Sequence, residues 1–242
     1  MKKLIIIDNE PIYKMLRDFI DQSKKYDLVL RHSGKLIDSS SDKFFKSIDY
    51  QINVKTNLEY IIKNFDLIIS IHCQQILPKE LIQSVRCINL HPGLNPFTRG
   101  WYSHVFAIIY DLPIGATLHE MDEFIDHGPI IATKIVKKEL YDTSYTLYNK
   151  ILNTEVELFI ENFDSIINNS YQLKNVTEDG NLFYKSDYNN LLEIDLNKEG
   201  KFVDFYNRLR ALSHNGYKNA YFHLPGSKKK VFISIEINVE DK

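Results

Sequence analysis

The sequence predicts an α/β protein: a Rossmann-like open, mostly parallel sheet with helices on both faces, followed by a small C-terminal β-rich region. Three observations carry this. The run Asp66 to Cys73 is continuously apolar, as a strand buried on both faces of a parallel sheet must be. The opening run Leu4 to Ile7 passes directly into Asp8-Asn9-Glu10-Pro11, a cap and early proline that start a helix. Cys87 to His91 reads as another short strand, and His91-Pro92-Gly93 ends it, because proline cannot donate to a ladder and glycine lets the chain turn. With 44% apolar residues in 242, the chain suffices for one sizeable core and an appendage, divided here as residues 1–168 and 169–242.

Taken in order, Met1 to Ile7 imitates a signal peptide, but Asp8, Asn9 and Glu10 cut the run short and a buried first strand is the better reading. Ile12, Met15, Leu16, Phe19 and Ile20 then repeat at helical spacing and belong to the core. No Gly-rich turn follows the first strand, which argues against a dinucleotide fold of the GxGxxG type. Leu28 to Leu30 reads as a second strand, Ser39 to Ser47 as a loop or short helix, and Thr56 to Asn64 as a helix with Leu58, Ile61 and Ile62 on one face. Gln74 to Glu80 begins a helix at the carboxyl edge of the apolar strand. Trp101 opens an apolar helix through Ala107 and Ile109, and Gly115 to Met121 is a strand. Asp126-His127-Gly128-Pro129 is a sharp turn between strand-like runs. Asp142-Thr143-Ser144 caps a helix with Leu152, Val156, Phe159, Ile160 and Phe163 inward. From about Asn168 the composition shifts to Asn, Ser, Tyr and Asp, a linker into the second region. There Lys230 to Val239 pairs with Asn219 to Leu224 across Pro225-Gly226.

Composition excludes several classes. The net charge is −2 and the lysines are scattered apart from Lys228-Lys229-Lys230, so no large nucleic-acid face is expected. No stretch approaches membrane-spanning length. Cys73 and Cys87 sit in core strands without metal-type spacing, which fits packing roles in a reducing cytoplasm. His72, His104, His119 and His127 lack His-x-x-x-His or Cys-x-x-Cys partners, so no metal site is expected, and His119 reads as a satisfied or pocket-lining residue.

The chemistry concentrates between Cys87 and Ile131. Strand alternation places Asn89 and His91 on one face at a strand's carboxyl end, where open α/β sheets bind ligands. An amide, an imidazole and a carboxylate, with no Ser or Cys placed as nucleophile, suit direct transfer of an acyl group to an amine. Asp126 is the candidate carboxylate. Taken singly, an Asn-x-His at a strand end or an Asp in a tight turn is ordinarily only a turn former.

Four ordered segments together resemble the folate-dependent formyltransferases: Asn89-x-His91-Pro92; Asn95-Pro96-x-x-Arg99-Gly100; Gly115-x-Thr117-x-His119-x-Met121-Asp122; and Ile125-Asp126-x-Gly128-x-Ile130. The resemblance implies catalysis by Asn89, His91 and Asp126, with 10-formyltetrahydrofolate as co-substrate. His91 and Asn89 would stabilise the oxyanion, and Asp126 would orient His91 and accept the amine's proton directly or through water. It further implies folate contacts from Gln75, Ile76, Leu77, Pro78, Asp122 and Ile125, although Pro78 at a helix start reads equally well as simple helix initiation. Beyond Asn168, Tyr184-Lys185, Asn207 to Ser213 and Asn219 to Phe222 resemble the segment that follows the catalytic domain in methionyl-tRNA and nucleotide-sugar enzymes. The tRNA branch adds a further β-barrel and needs a basic surface, so the sugar branch is expected: formylation of a nucleotide-linked amino-dideoxy sugar for surface polysaccharide, as in lipopolysaccharide O-antigen. Substrate contacts are then expected from Arg99, Trp101, Lys185, Arg208, Arg210 and Tyr221, the cations for the diphosphate, against an equally open reading of Lys185, Arg208 and Arg210 as salt-bridge residues. A homodimer is expected because the tail is too short for its own core. A formyltetrahydrofolate hydrolase and a catalytically silent folate or nucleotide-sugar binder stay open as rivals.

Overall fold

The computed structural model describes residues 2–34, 42–176 and 180–240. The amino-terminal part of the Ser39 to Ser47 reading lies outside them. The elements, in order, are β1 (Lys2–Ile7), α1 (Glu10–Gln22), β2 (Leu28–Arg31), α2 (Lys43–Lys46), α3 (Leu58–Asn64), β3 (Phe65–Ile71), α4 (Lys79–Ser84), β4 (Arg86–His91), β5 (Arg99–Gly100), α5 (Ser103–Ile109), β6 (Gly115–Glu120), β7 (Ile130–Ile135), α6 (Ser144–Asn168), β8 (Leu182–Phe183), α7 (Lys185–Leu192), α8 (Phe202–Leu212), β9 (Tyr221–His223) and β10 (Lys230–Phe232).

The main sheet has the order β2-β1-β3-β4-β6-β7. The first four strands in that order run parallel, whereas β6 and β7 are antiparallel to their neighbours. Parallel strands need long crossovers, here supplied by helices, while β6 and β7 are joined by a short turn that puts Asp126 beside β4. Ile5, Ile7, Ile69, Ile71, Ile88 and Leu90 pack on one face against Ile12, Leu16 and Ile20 of α1 and Leu158, Phe159 and Phe163 of α6. Leu4, Ile6, Ile68 and Cys87 pack on the other against Ile61 of α3 and Leu77 and Leu81 at α4. Each such fully buried aliphatic side chain contributes about 1.5–3 kcal/mol relative to exposure. Burial pushes the Cys87 thiol up to about 12, which makes it an inert packing group.

Two inward assignments are corrected. Met15 is 39% exposed and Ile160 is 41% exposed, because each sits at the edge of its helix's apolar stripe, where the width of the stripe rather than the period decides burial. The helix α1 itself begins as expected: the Asn9 side chain accepts a hydrogen bond from the Ile12 amide at 3.0 Å, and Pro11 stands in the first turn.

The carboxyl-terminal segment contains the expected hairpin, Tyr221–His223 against Lys230–Phe232, but its second strand is shorter than Lys230 to Val239. Past Ile233, whose amide still donates to the Ala220 carbonyl, the backbone leaves the ladder, with the Ile235 amide donating to Ser213 Oγ. Helices α7 and α8 accompany the hairpin. Residues Tyr188, Ala211, Leu212 and Ala220 share one core with Val105, Phe106 and Ile108 of α5 and Leu147 and Ile151 of α6. Phe183 stacks on Phe106 at 4.0 Å and Tyr188 on Tyr102 at 3.8 Å, and β8 pairs in parallel with β5. Among the described residues no helix is long and apolar enough to cross a membrane.

Candidate active site

The parallel strands β1, β3 and β4 end side by side, and the loops that leave them meet at this edge of the sheet. Asp8, 2% exposed, ties the edge together by accepting from the Ser33 amide and the Gln74 amide, both at 2.6 Å. On β4, Ile88 and Leu90 face the core, so alternation turns Asn89 and His91 to the opposite face. Asn89 is half-buried and His91 is 3% exposed.

The β6–β7 turn brings Asp126 to them. The left-handed residue of this turn is Asp126 itself, with φ 46°, a conformation that a short polar residue tolerates better than most. Gly128 serves a close approach instead: a Cβ there would lie 2.0 Å from the Glu120 carbonyl oxygen. Asp126 Oδ1 accepts from Asn89 Nδ2 at 3.1 Å and lies 3.6 Å from His119 Nε2. Its Oδ2 accepts from the Gly100 amide at 3.0 Å and lies 3.4 Å from His91 Nδ1. Burial raises the Asp126 carboxyl, but the positive charge of His91, the hydrogen bond and charge of His119 and the Gly100 amide outweigh it. The net effect holds the carboxyl well below the usual carboxylate range.

His91 Nε2 faces the Thr98 carbonyl oxygen at 3.0 Å, so the ring stands between two acceptors. Doubly protonated, it donates to both; either neutral tautomer leaves a lone pair facing an oxygen. The Thr98 loop is held in turn by Thr98 Oγ1, which accepts from the Leu94 amide, and by Asn95 Nδ2, which donates to the Asp126 carbonyl at 2.8 Å. Thr117 Oγ1 accepts from the Asn95 amide and donates to the Gly93 carbonyl. His119 is 2% exposed, with Nδ1 against the Glu120 carbonyl at 2.8 Å and Nε2 3.3 Å from Asn89 Nδ2. Thus His119 is a satisfied histidine, as one of its two expected readings had it, and it stands against Asn89 and Asp126. Thr117 belongs to the third motif segment without an expected role, whereas nothing in the spacing marks Thr98; both act through one loop's hydrogen bonds.

The segments expected to meet folate converge. Lys79 Nζ pairs with Glu123 Oε2 at 2.5 Å, which joins the start of α4 to the turn carrying Asp122 and Ile125. Ile76 is 82% exposed on that rim, Ile125 and Phe124 are exposed beside the pair, and Leu77 is buried beneath it. Pro78 is the residue preceding α4 and opens the helix. Gln75 is used otherwise: its amide donates to the Ser33 and Ile52 carbonyls and accepts from the Val54 amide, so it holds loops together. Asp122 accepts from the Phe124 amide and pairs with His127 at 2.6 Å, shaping the turn.

Of the expected substrate contacts, Arg99, Trp101 and Lys185 gather where β5 meets β8. The Lys185 ammonium lies 5.7 Å from the Trp101 ring centre. The other three sit elsewhere. Arg210 is 2% exposed, donating to the Glu139 and Asp142 carbonyls and to Asn207. A guanidinium so enclosed does not reach a diphosphate, and that expectation is corrected. Arg208 donates to the Leu191 and Glu193 carbonyls, which ties α8 to the end of α7. Tyr221 Oη lies 3.4 Å from Glu193, and Lys230 Nζ stands 3.7 Å from its ring centre, which covers one stacking face. Among the described residues no group of three or more His, Cys, Asp or Glu is arranged to hold a metal ion.

The chain resembles known proteins along most of its length. The profile described as "Formyl transferase" matches residues 41–163, and that of the "N-formyltransferase dimerization C-terminal domain" matches residues 187–239. The chain is 43% identical over 188 residues to a dTDP-4-amino-4,6-dideoxyglucose formyltransferase of Mycobacterium tuberculosis, covering 78% of this chain and 80% of that one. A crystal structure of a 4-N formyltransferase from Francisella tularensis superposes with a TM-score of 0.88 at 38% identity, over 99% of this chain and 98% of that one. A sugar 3N-formyl transferase solved in the presence of dTDP and 5-N-formyl-THF gives 0.73 at 25% identity, over 91% and 82% of the two chains. Family model, sequence and architecture agree, and the chain belongs to the formyl transferase family.

Proposed function

We propose that this chain transfers the formyl group of 10-formyltetrahydrofolate to the 4-amine of a dTDP-linked 4-amino-4,6-dideoxy sugar. The observation that carries the reading is the closed Asn89–His91–Asp126 set beside the apolar rim of Ile76 and Ile125. The 4-amine is favoured over the 3-amine because the 4-amino enzymes match at 43% and 38% identity, against 25% for the 3N enzyme.

The residues fit a folate. Exposed Ile76, Phe124 and Ile125 offer an apolar edge for its flat rings, and Asn95 Oδ1 is buried with no hydrogen-bond partner among the described residues. The bound co-substrate supplies an activated formyl carbonyl. Asn89 is a donor for negative charge that develops on the carbonyl oxygen, and His91 is the second once its Nε2–H exchanges the Thr98 carbonyl for that oxygen, with Nδ1 kept on Asp126. Asn89 keeps one N–H on Asp126, and the second, now toward His119, is the one to turn toward the reacting oxygen. Asp126, held below the usual carboxylate range by its neighbours, stays ionised to anchor Asn89 and orient His91. The amine's proton leaves to Asp126 directly or through water, and tetrahydrofolate departs as the bond from its nitrogen to the formyl carbon breaks. Contacts from Arg99, Trp101 and Lys185 guide the nucleotide end. We also assign the protein to the cytoplasm, on its free Cys73 and Cys87, and to a homodimer through the segment after residue 187.

The test is incubation with the formyl donor and a panel of nucleotide-linked 3- and 4-amino sugars, read by mass spectrometry. The expected product is the 4-formamido sugar. Tetrahydrofolate release to the same extent without any amino sugar would instead identify a hydrolase.

A further inference from the structure

A second polar cluster lies at the carboxyl ends of β1 and β3 and takes no part in the Asn89–His91–Asp126 network. His72 follows β3 with φ 55°, a left-handed conformation that is uncommon outside glycine but that histidine adopts more readily than most. By the register that pairs Ile71 with Leu90, His72 ends its strand beside His91. Simple alternation would send both rings to one face, since Ile71 and Leu90 share the other. The left-handed turn sends His72 to α6 instead, where its Nε2 meets both oxygens of Glu155 at 2.9 and 3.1 Å. Glu155 is 0% exposed. His72 Nδ1 lies 3.4 Å from Asn9 Nδ2, which also donates to the Tyr148 hydroxyl at 2.9 Å. Beyond Tyr148 stand the ring of His104, with centroids 4.9 Å apart, and that of His214 at 5.7 Å.

This cluster ends in unanswered hydrogen-bonding groups. Among the described residues, the Tyr148 hydroxyl accepts from Asn9 and donates to nothing. Neither His104 ring nitrogen has a hydrogen-bond partner, and His214 uses only Nδ1, against Ser144 Oγ at 2.9 Å. The unpaired nitrogens of His104 and His214 are not sealed from solvent, so water meets them in the free protein and a polar ligand can take its place.

We propose that Tyr148, His104 and His214, held in place by Asn9, His72 and Glu155, form the subsite that receives the hydroxyl groups of the acceptor's hexose ring. The inference rests on the proposed function and names where its acceptor sits. A hexose hydroxyl both donates and accepts, and neutral imidazoles and a phenol offer both roles. Burial and the neighbouring His214 and His72 push His104 down to about 3, and burial lowers His214, so both rings are neutral at working pH. A diphosphate would find no cation among these groups and a buried carboxylate behind them. Tyr145 and Tyr217, exposed and each edge-on to His214, add aromatic surface for the sugar's C–H groups. The location also suits the reaction. The rim proposed for folate lies on the α4 side of the sheet and this cluster on the α6 side, so donor and amine approach the triad from opposite sides.

The test compares binding of the dTDP-linked 4-amino-4,6-dideoxyglucose with binding of dTDP alone, by calorimetry, in the wild type, Tyr148→Phe and His104→Gln, with melting curves as the folding check. Each variant is expected to weaken the sugar nucleotide about 3- to 10-fold, the range of one neutral hydrogen bond, and to leave dTDP alone unchanged. The KM for the amino sugar should rise in step while that of the formyl donor does not. Wild-type sugar affinity in both folded variants, or equal weakening of dTDP, would overturn the subsite while the function stands. A wild-type protein that neither binds nor formylates the amino sugar would overturn the function and the subsite with it.

Discussion

Replacing Gly93 with alanine adds one methyl group beside His91. A Cβ at that position would lie 2.3 Å from His91 Nε2 and 2.4 Å from the Thr98 carbonyl oxygen, whereas ordinary contact begins at 3.4 Å. The methyl therefore lands between a hydrogen-bonding nitrogen and its partner, and something must move by about 1 Å, a misplacement that costs about 100-fold in rate at a reacting centre. The imidazole cannot simply rotate away, because its other nitrogen faces Asp126 at 3.4 Å, and the Thr98 oxygen is backbone. Gly93 does not occupy the left-handed region, so the alanine introduces no backbone strain of its own. Turnover, measured as 4-formamido sugar formed under saturating substrates, should fall about 100-fold, with only a modest loss of melting temperature. Gly216→Ala is the control: its φ is 80° and nothing lies within 4 Å, so it should lose stability and keep turnover. A folded Gly93→Ala protein with wild-type turnover would refute the claim that the His91–Thr98 geometry matters to the reaction.

Further outcomes are expected. Asp126→Asn keeps the side chain's shape and removes its charge, so kcat should fall on the order of 100-fold or more. Because the folded carboxyl is depressed, its stabilisation is present above the ordinary carboxylate value near 3.9 and is lost as pH falls below that; urea midpoints of wild type and variant should converge in acid. His104 runs the same way for a different reason: the unfolded ring takes a proton near pH 6.5 and the folded one only at about 3. Stability should therefore drop by roughly 2 kcal/mol by pH 5, and His104→Gln should flatten that slope; a wild type indifferent to pH in this window would count against a buried neutral ring. Arg210→Ala strands the Glu139 and Asp142 carbonyls, so about 3 kcal/mol of stability should go while both KM values hold; a selective rise in the sugar nucleotide's KM would return this residue to the substrate site. Sedimentation should give a dimer at micromolar protein, and a monomer there would mean that the tail serves only its own chain.

The parts of the site legible in the sequence were those governed by strictly local rules. A strand's period of two puts Asn89 and His91 on one face whatever surrounds them, and a proline and glycine end the strand there. The sharp turn around Asp126 could be read for the same reason, although its strained residue is Asp126 rather than the glycine. What escaped depends on distant partners. Arg210 looks like any helical arginine until α8 is laid against the loop at Glu139 to Asp142, and Gln75 looks like a ligand contact until three backbone groups converge on it. His72 is the clearest instance, since alternation assigns it to the face of His91 and a single left-handed backbone angle reverses that.

The carboxyl-terminal segment acts on the site through packing rather than through charge. Its composition invites a separate sugar-binding unit whose arginines grip a diphosphate, yet Arg208 and Arg210 are turned inward onto backbone carbonyls. What the segment does hold is α5. Phe183 lies flat on Phe106, Tyr188 lies flat on Tyr102, and Ala211 and Leu212 close the core beneath Val105 and Ile108. Tyr102 is itself left-handed, with φ 54°, so the entry to α5 persists only while that packing persists. His104 is carried two residues later, and the Gly100 amide that bonds Asp126 lies two residues earlier. A tail that fixes Tyr102 therefore fixes both the carboxylate anchor of the triad and a ring of the proposed hexose subsite, and substitutions at Phe183 or Tyr188 should disturb donor and acceptor steps together, where the loss of an ordinary binding contact would touch only one.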